Sequence, residues 1–330
     1  MIILKQKTNS FVFLVLGGVL GAFFLYACGE DTTLENQIKS QPVSLKINRF
    51  DIAFKNADPE NFLSLKTQYP FFFPVQTPDS IWNAKLLNPI EDKLLEEVGT
   101  AFQDFSPFKE NLEHLFKHVL HEYPNSKTPE IFTLTSEVDY MNKVIVTDSI
   151  WLLALDNYLG SSHEFYQSFP NYIKDDLDKK YLVIDVAAAL SAQYVPRSEQ
   201  AYFLSKMVYE GKKLLMQSLL WPHASPSEHL HYTEEEYQWA LENEAQVWRN
   251  FIENQYLYST QPDLALRFLF PAPFSKFKLD IDTESPGRIG QFMGLQLTKA
   301  YYYKHGEDLE KLLRVSAVDL LKDASYKPKK

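Results

Sequence analysis

The fold is decided by residues 181–195, which read Tyr-Leu-Val-Ile-Asp-Val-Ala-Ala-Ala-Leu-Ser-Ala-Gln-Tyr-Val. This stretch is apolar on nearly every side, which predicts a helix buried all round rather than an amphipathic surface helix. Segments with helical periodicity lie on both sides of it along the chain. They cover residues 89–105, 108–123, 199–221, 233–258, 264–270, 289–303 and 309–321. We therefore expect one helix-rich globular domain built around a buried central helix.

Short β-prone segments are the other structural signal. Residues 43–50 alternate apolar and polar side chains, which is typical of an edge strand. Residues 131–134, 144–146 and 150–155 are short apolar runs, and Thr147-Asp148-Ser149 provides a turn between the last two. The pattern predicts an α+β fold that is predominantly helical with a small antiparallel sheet.

The N-terminal segment predicts export and lipid attachment. Lys5 and Lys7 precede an apolar run of 17 residues, Phe11 to Ala27, as in an export signal. Leu25-Tyr26-Ala27-Cys28 resembles a bacterial lipobox, with the bulky Tyr26 as a small departure. An uncleaved membrane helix and a signal cut at an ordinary site are the alternatives. We expect residues 1–27 to be a lipoprotein signal peptide, residues 28–42 an acylated Cys28 (palmitate-type chains) with a polar tether, and residues 43–330 the single domain.

Composition narrows the class of function. The net charge is −10, and removal of the segment that carries Lys5 and Lys7 makes it more negative. An acidic chain without a basic stripe is a poor nucleic-acid binder, because the phosphate backbone repels it. Cys28 is the only cysteine, so no intramolecular disulfide can form. The aromatic stretch 69–74, Tyr-Pro-Phe-Phe-Phe-Pro, predicts a packed loop, with an exposed partner-binding patch as the alternative.

Histidine patterns indicate no complete metal site. His114, His118 and His121 share one helix face and could bind zinc, but they flank the apolar face, so we expect a solvated or satisfied surface stripe. Two His-Glu pairs lack the second histidine of the metalloprotease helix, since Asn125 and Gln167 stand there. The sequence His229-Leu230-His231 is a weak loop candidate. We therefore predict no metal and no cofactor.

Carboxylates supply the candidate binding cleft. Glu244 falls on the apolar face of helix 233–258, and Glu210 lies in an otherwise apolar stretch. Buried carboxylates need a partner, and Arg288 could supply a bidentate one. The pair of Asp280 and Asp282 resembles the start of a calcium loop without its later ligands, which indicates a capped turn. Glu210, Glu244 and Arg288 form either a structural buried ion pair or a functional pocket. With Asp280 and Asp282 they make up the candidate binding cleft.

Motifs along the whole chain carry a family resemblance. They are Leu155-Asp-Asn-Tyr-Leu-Gly160, Tyr209-Glu-Gly-Lys-Lys213, Tyr232-Thr-Glu-Glu-Glu-Tyr-Gln-Trp239, Glu242-Asn-Glu244, Trp248, Leu257-Tyr-Ser-Thr260, Ala272-Pro-Phe-Ser-Lys-Phe277, Glu284-Ser-Pro-Gly-Arg-Ile-Gly290 and Ser325-Tyr-Lys-Pro328. With the lipobox, these resemble the gliding-motility-associated lipoprotein family GldB of Bacteroidota. The resemblance implies a cell-envelope lipoprotein that is needed for gliding and works beside the type IX secretion and motility apparatus.

The resemblance also implies the fold and activity to expect. It suggests a distant relation to zincin-like proteases, in which helix 181–195 takes the place of the zinc helix and Glu210 that of a third ligand. Without the histidines, such a fold is a degenerate, non-catalytic pseudoenzyme. We expect a non-enzymatic component that is anchored by lipid, most plausibly in the outer membrane facing the periplasm, and that holds a protein partner. The alternative is an envelope hydrolase for peptide or glycan, with Glu210 and Glu244 as acid and base.

Overall fold

The computed structural model describes residues 30–198, 200–280 and 282–328. The predicted signal peptide and Cys28 lie outside the described residues. Within those described ranges, no helix has both the length and the apolar character that crossing a bilayer requires.

A four-stranded sheet forms one face of the N-terminal half. Its strands are β1 (Lys46–Arg49), β2 (Glu130–Leu134), β3 (Val144–Val146) and β4 (Ile150–Ala154), in the order β1-β2-β4-β3. Strands β1 and β4 are both parallel to β2, and only β3 and β4 pair antiparallel. The helix-rich α+β class is confirmed, but the sheet is mixed rather than antiparallel. The reason is the long helical connection from β1 to β2, because such a crossover lets the chain re-enter the sheet in the same direction.

Sixteen helices are described around this sheet. Those before β2 are α1 (Glu30–Ser40), α2 (Phe50–Lys55), α3 (Phe62–Gln68), α4 (Asp79–Leu86), α5 (Pro89–Ala101) and α6 (Ser106–Glu122). Those after β4 are α7 (Asn171–Lys174), α8 (Leu182–Tyr194), α9 (Phe203–Leu220), α10 (Pro226–His229), α11 (Glu234–Glu242), α12 (Glu244–Glu253), α13 (Asp263–Phe268), α14 (Ile289–Lys304), α15 (Leu309–Arg314) and α16 (Ala317–Asp323). Short 3₁₀ turns join several of them.

The predicted central helix is α8, and it is buried as expected. Its first six residues, 182–187, are all buried. It contacts β3 on one side and helices α6 and α9 on the others. Because apolar side chains point in every direction from this helix, neighbours must cover it all round, and it becomes the middle of the first hydrophobic core.

Helix α9 joins two cores. Met216 and Leu220 pack in the first core, with the sheet and α8. Met207 and Leu215 pack in a second core, with α11 to α16. The helix thereby holds the N-terminal and C-terminal halves of the chain together.

The predicted helix 233–258 is two helices, α11 and α12, divided at Asn243. The predicted capping box is present at its start, since Thr233 and Glu236 each bond the other's backbone N–H. At the break, Asn243 leaves helical geometry, with φ −103° and ψ 6°. Its side-chain amide donates to the Trp239 carbonyl at 2.9 Å. The same carbonyl also accepts the Asn243 backbone N–H at 3.0 Å, so the Asn243 side chain adds a second hydrogen bond where α11 ends. Apolar periodicity does not register such a polar contact, so it overestimated the length of the helix.

The aromatic stretch 69–74 packs as a loop, as predicted. Tyr69, Phe72 and Phe73 surround the ring of Phe50, with centroid distances of 5.2, 4.1 and 6.1 Å. Of the four aromatic residues in this stretch, only Phe71 is exposed, at 46%. The rings therefore build a small core between α2, α3 and the sheet.

The segment predicted to be a polar tether contains helix α1. Ile38 of this helix is buried, and the Lys39 carbonyl accepts a hydrogen bond from the Lys117 ammonium of α6 at 2.8 Å. Helix α1 therefore packs on the domain instead of extending from it, because one apolar side chain and several polar contacts hold it there.

Candidate functional site

The five predicted cleft residues do not form one cluster. Glu210 pairs with Lys213 on its own helix, at 2.7 Å. Glu244 is buried as predicted, at 3% exposure, and accepts a hydrogen bond from the Tyr326 hydroxyl at 2.7 Å. The cation proposed for these glutamates, Arg288, instead pairs with an aspartate of another segment, as described below.

Asp280 and Asp282 belong to a turn. Asp282 accepts hydrogen bonds from the backbone N–H groups of Phe277, Lys278 and Leu279, at 3.1, 2.8 and 3.2 Å. Asp280 is exposed. These contacts agree with the predicted capped turn.

A buried group of charges, here called the ion-pair centre, consists of Lys143, Asp176, Asp185, His231 and Arg288. His231 lies between the two aspartates, with its Nδ1 3.2 Å from Asp176 and its Nε2 3.3 Å from Asp185. The Arg288 guanidinium reaches Asp176 through two nitrogens, each at 3.3 Å. The Lys143 ammonium lies 2.7 Å from Asp185. Three cationic side chains thus surround two aspartates.

Aromatic groups and the backbone hold this centre in place. The Tyr158 hydroxyl donates to Asp185 at 2.9 Å, and the Tyr181 ring stacks on the His231 ring at 4.3 Å. His231 and Arg288 both have left-handed backbone conformations, with φ of 54° and 59°. Such conformations are uncommon for residues other than glycine and collect at functional sites. Arg288 also donates to the His231 carbonyl at 3.4 Å, which ties the two strained positions together.

The protonation states follow from these neighbours. Burial alone would raise the pKa of Asp176, but His231 and Arg288 lower it below the ordinary value. Lys143 and His231 likewise lower the pKa of Asp185 against the effect of burial. Burial would lower the pKa of His231, but the two aspartates raise it. The neighbours therefore favour ionised carboxylates at both aspartates and the protonated form of the His231 ring.

A cleft of about 470 Å³ opens onto one side of the centre. Asp176, His231 and Arg288 line it, together with the Tyr181 ring. Its rim carries charges of both signs, from Asp175, Asp178, Lys180 and Glu236. Arg288 is the one predicted cleft residue that the fold places here.

Sequence reasoning missed the two aspartates of the centre. Asp185 is the only charged residue of α8, an otherwise apolar helix. A buried charge requires a partner, so this position could have been found from the sequence. His231 was noticed only as a loop histidine, and its aspartate partners are contributed by distant segments.

A second group, here called the histidine cluster, consists of Glu35, His114, His118 and His223. Glu35 is on α1, two histidines are on α6, and His223 follows α9. The Glu35 carboxylate lies 3.2 Å from His114 Nε2, 3.5 Å from His118 Nε2 and 3.7 Å from His223 Nε2. The predicted surface position is therefore wrong for His118, which is only 6% exposed because α1 covers it. His121, by contrast, is exposed and lies beside Glu122.

Burial favours the neutral form of His114 and His118. It lowers the pKa of His118 to about 4, against the opposing effect of Glu35. It also lowers the pKa of His114, and the neighbouring His223 adds to this. Neutral imidazole is the form that offers a nitrogen lone pair to a metal ion.

Comparison with models of protein families identifies the family of this chain. The model of the family described as gliding motility protein GldB matches residues 31–328, nearly the whole chain. The chain belongs to the GldB family. Membership gives it a role in gliding motility, and the lipoprotein character of GldB places it in the cell envelope. No curated protein and no solved structure matches the chain, so the zincin relation stays a prediction.

Proposed function

We propose that this GldB protein is a non-enzymatic component of the gliding apparatus, anchored by lipid on Cys28 in the outer membrane and facing the periplasm. In this position it holds a protein partner of the motility and type IX secretion machinery. The observation that carries the proposal is the docking of α1, which begins two positions after Cys28. Two residues span about 7 Å at most, so a lipid on Cys28 would hold the domain close to the membrane.

The ion-pair centre supports a non-catalytic role. An acid or base catalyst works best when its pKa lies near the working pH. Asp176 and Asp185 have lowered pKa values and are engaged with cations, so they hold the fold rather than exchange protons at neutral pH. The adjoining cleft, with its charges of both signs, is the surface that we assign to the protein partner.

Replacing Cys28 with alanine tests the anchor. We expect Cys28→Ala to move the protein from the membrane fraction to the soluble fraction and to abolish gliding, because one cysteine carries all the acyl chains. The measurements are fractionation with immunoblotting and colony spreading in a strain whose own gene is deleted. Asn36→Ala, an exposed position on α1, serves as the control. Normal attachment and gliding of Cys28→Ala at normal abundance would refute the anchor.

Conservative changes at the two glutamates test the hydrolase alternative. We expect Glu210→Gln and Glu244→Gln to fold and to support normal gliding. The Glu210 pair with Lys213 is partly exposed, and such pairs contribute about 0–1 kcal/mol. A glutamine at 244 can still accept from Tyr326 through its amide oxygen. Loss of gliding in either variant, with the far-ultraviolet circular dichroism spectrum and abundance unchanged, would favour a hydrolase.

A further inference from the structure

The histidine cluster has the donor set of a metal site. The four side chains each offer one ligand atom, and all of these atoms lie within 4.8 Å of one another. In a tetrahedral zinc site with bonds of about 2.0–2.1 Å, ligand atoms are about 3.3 Å apart. Small rotations of the side chains would therefore close this group around one ion.

Unsatisfied polar atoms point to the same place. Glu35 Oε1, His114 Nε2 and His118 Nε2 are buried and make no hydrogen bond of good geometry, although the carboxylate and the rings are close. The nearest cation is the Lys39 ammonium on the same helix, 3.3 Å from Glu35 Oε1, and it offers nothing to the two imidazole nitrogens. Buried polar atoms without partners are costly and are rare in folded proteins. A cation at the centre of the group would satisfy all three atoms at once.

A proton does not meet this need as well as a metal ion does. Protonation of His118 would place a charge on a buried ring, which burial opposes, and would leave His114 Nε2 without a hydrogen-bond partner. Three imidazole nitrogens with one carboxylate oxygen suit zinc, whereas calcium and magnesium prefer oxygen ligands throughout.

We infer that Glu35, His114, His118 and His223 form a zinc site that fastens helix α1 to the domain. The ligands are contributed by α1, by α6 and by the segment after α9, so one ion links three parts of the chain. The four protein ligands make it a closed, structural site rather than a catalytic one with an open position. This site lies outside the ion-pair centre, and the inference is independent of the proposed partner binding.

Zinc affinity of the purified full chain tests the inference. The protein is prepared in detergent without a polyhistidine tag, stripped with a chelator, dialysed and titrated with zinc against a competing chromophoric chelator. We expect about one tightly bound zinc per chain. Glu35→Gln and His223→Ala should each weaken binding at least tenfold, because removal of a ligand costs no less than loss of its supporting partners. His121→Ala, on the same helix but outside the site, should bind as the wild type does.

Two further readouts separate a metal site from a general folding defect. Cobalt(II) should give the visible spectrum of tetrahedral coordination in the wild type and in His121→Ala, and a weaker, altered spectrum in Glu35→Gln. Zinc should also slow amide hydrogen exchange in α1 of the wild type but not of Glu35→Gln. The inference is overturned if the wild type binds no zinc, or if Glu35→Gln and His223→Ala bind it with wild-type affinity. Either result leaves the proposed role in gliding unaffected, since gliding is measured separately.

Discussion

Replacing Gly294 with alanine is expected to lower the free energy of unfolding by about 3 kcal/mol or more, the upper end of the overpacking range. Helices α9 and α14 cross with their backbones in contact at this position. A Cβ atom at Gly294 would lie 1.9 Å from the Met207 carbonyl oxygen, and one at Gly211 would lie 2.2 Å from the Gly294 carbonyl oxygen. Backbone atoms cannot rotate away as a side chain can, so the helices must separate.

Separation of the two helices should also disturb the cleft at the ion-pair centre. Arg288 directly precedes α14, so separation of α14 from α9 should also shift the guanidinium away from Asp176.

The stability of Gly294→Ala is measured by chemical unfolding of the full chain, followed by circular dichroism. Gly99→Ala is the matched control, because Gly99 is also inside a helix but has nothing within 4 Å of a Cβ atom. We expect this control to be neutral or to stabilise by up to about 1 kcal/mol. Equal midpoints for the two variants would contradict the close crossing.

Replacing Asp185 with asparagine is expected to lower the free energy of unfolding by about 3–5 kcal/mol. Asparagine keeps the shape and can still accept from Tyr158, but it leaves the charges of Lys143 and His231 without their carboxylate. Removing one partner of a buried ion pair is costly because the remaining charges stay desolvated. Asp280→Asn, at an exposed position, should change the stability by no more than about 0.5 kcal/mol.

The pH dependence of the stability lost in Asp185→Asn provides a second test of this ion pair. The contribution of Asp185 is present above its ordinary pKa of 3.8 and is lost as the pH falls through its lowered folded value. The contribution of His231 is present below its ordinary pKa of 6.5 and is lost as the pH rises through its raised folded value. The stability difference between wild type and Asp185→Asn should therefore be greatest between these pH values and should shrink above them. A difference that keeps growing as the pH rises above 6.5 would contradict the pairing of Asp185 with the His231 imidazolium.

Local patterns in the sequence predicted the local structure. The apolar run at 181–195 indicated a helix buried on all sides, and Thr233 with Glu236 indicated where α11 begins. The turn at residues 147–149 correctly joined β3 to β4. Such features depend on residues within a few positions of one another, which is why the sequence alone contains them.

Contacts between segments that are far apart in the sequence could not be predicted from local patterns. The parallel pairing of β1 with β2, in which Ile47 lies opposite Ile131, depends on how residues 50–129 between the two strands fold. The sequence placed His114 and His118 on one helix face, but not Glu35 above them. The sequence also indicated that Arg288 pairs with a carboxylate. It suggested Glu210 or Glu244 as the partner, whereas the structure gives Asp176.

The sequence by itself therefore determined where most of the longer helices lie, that the helix at residues 181–195 must be buried, and which family the chain resembles. Only the tertiary structure decided that His231 lies between Asp176 and Asp185, and that α1 brings Glu35 to the histidines of α6. The physical reason is that helix periodicity is set by neighbouring residues, whereas the partner of a buried charge is set by how helices far apart in the chain pack together.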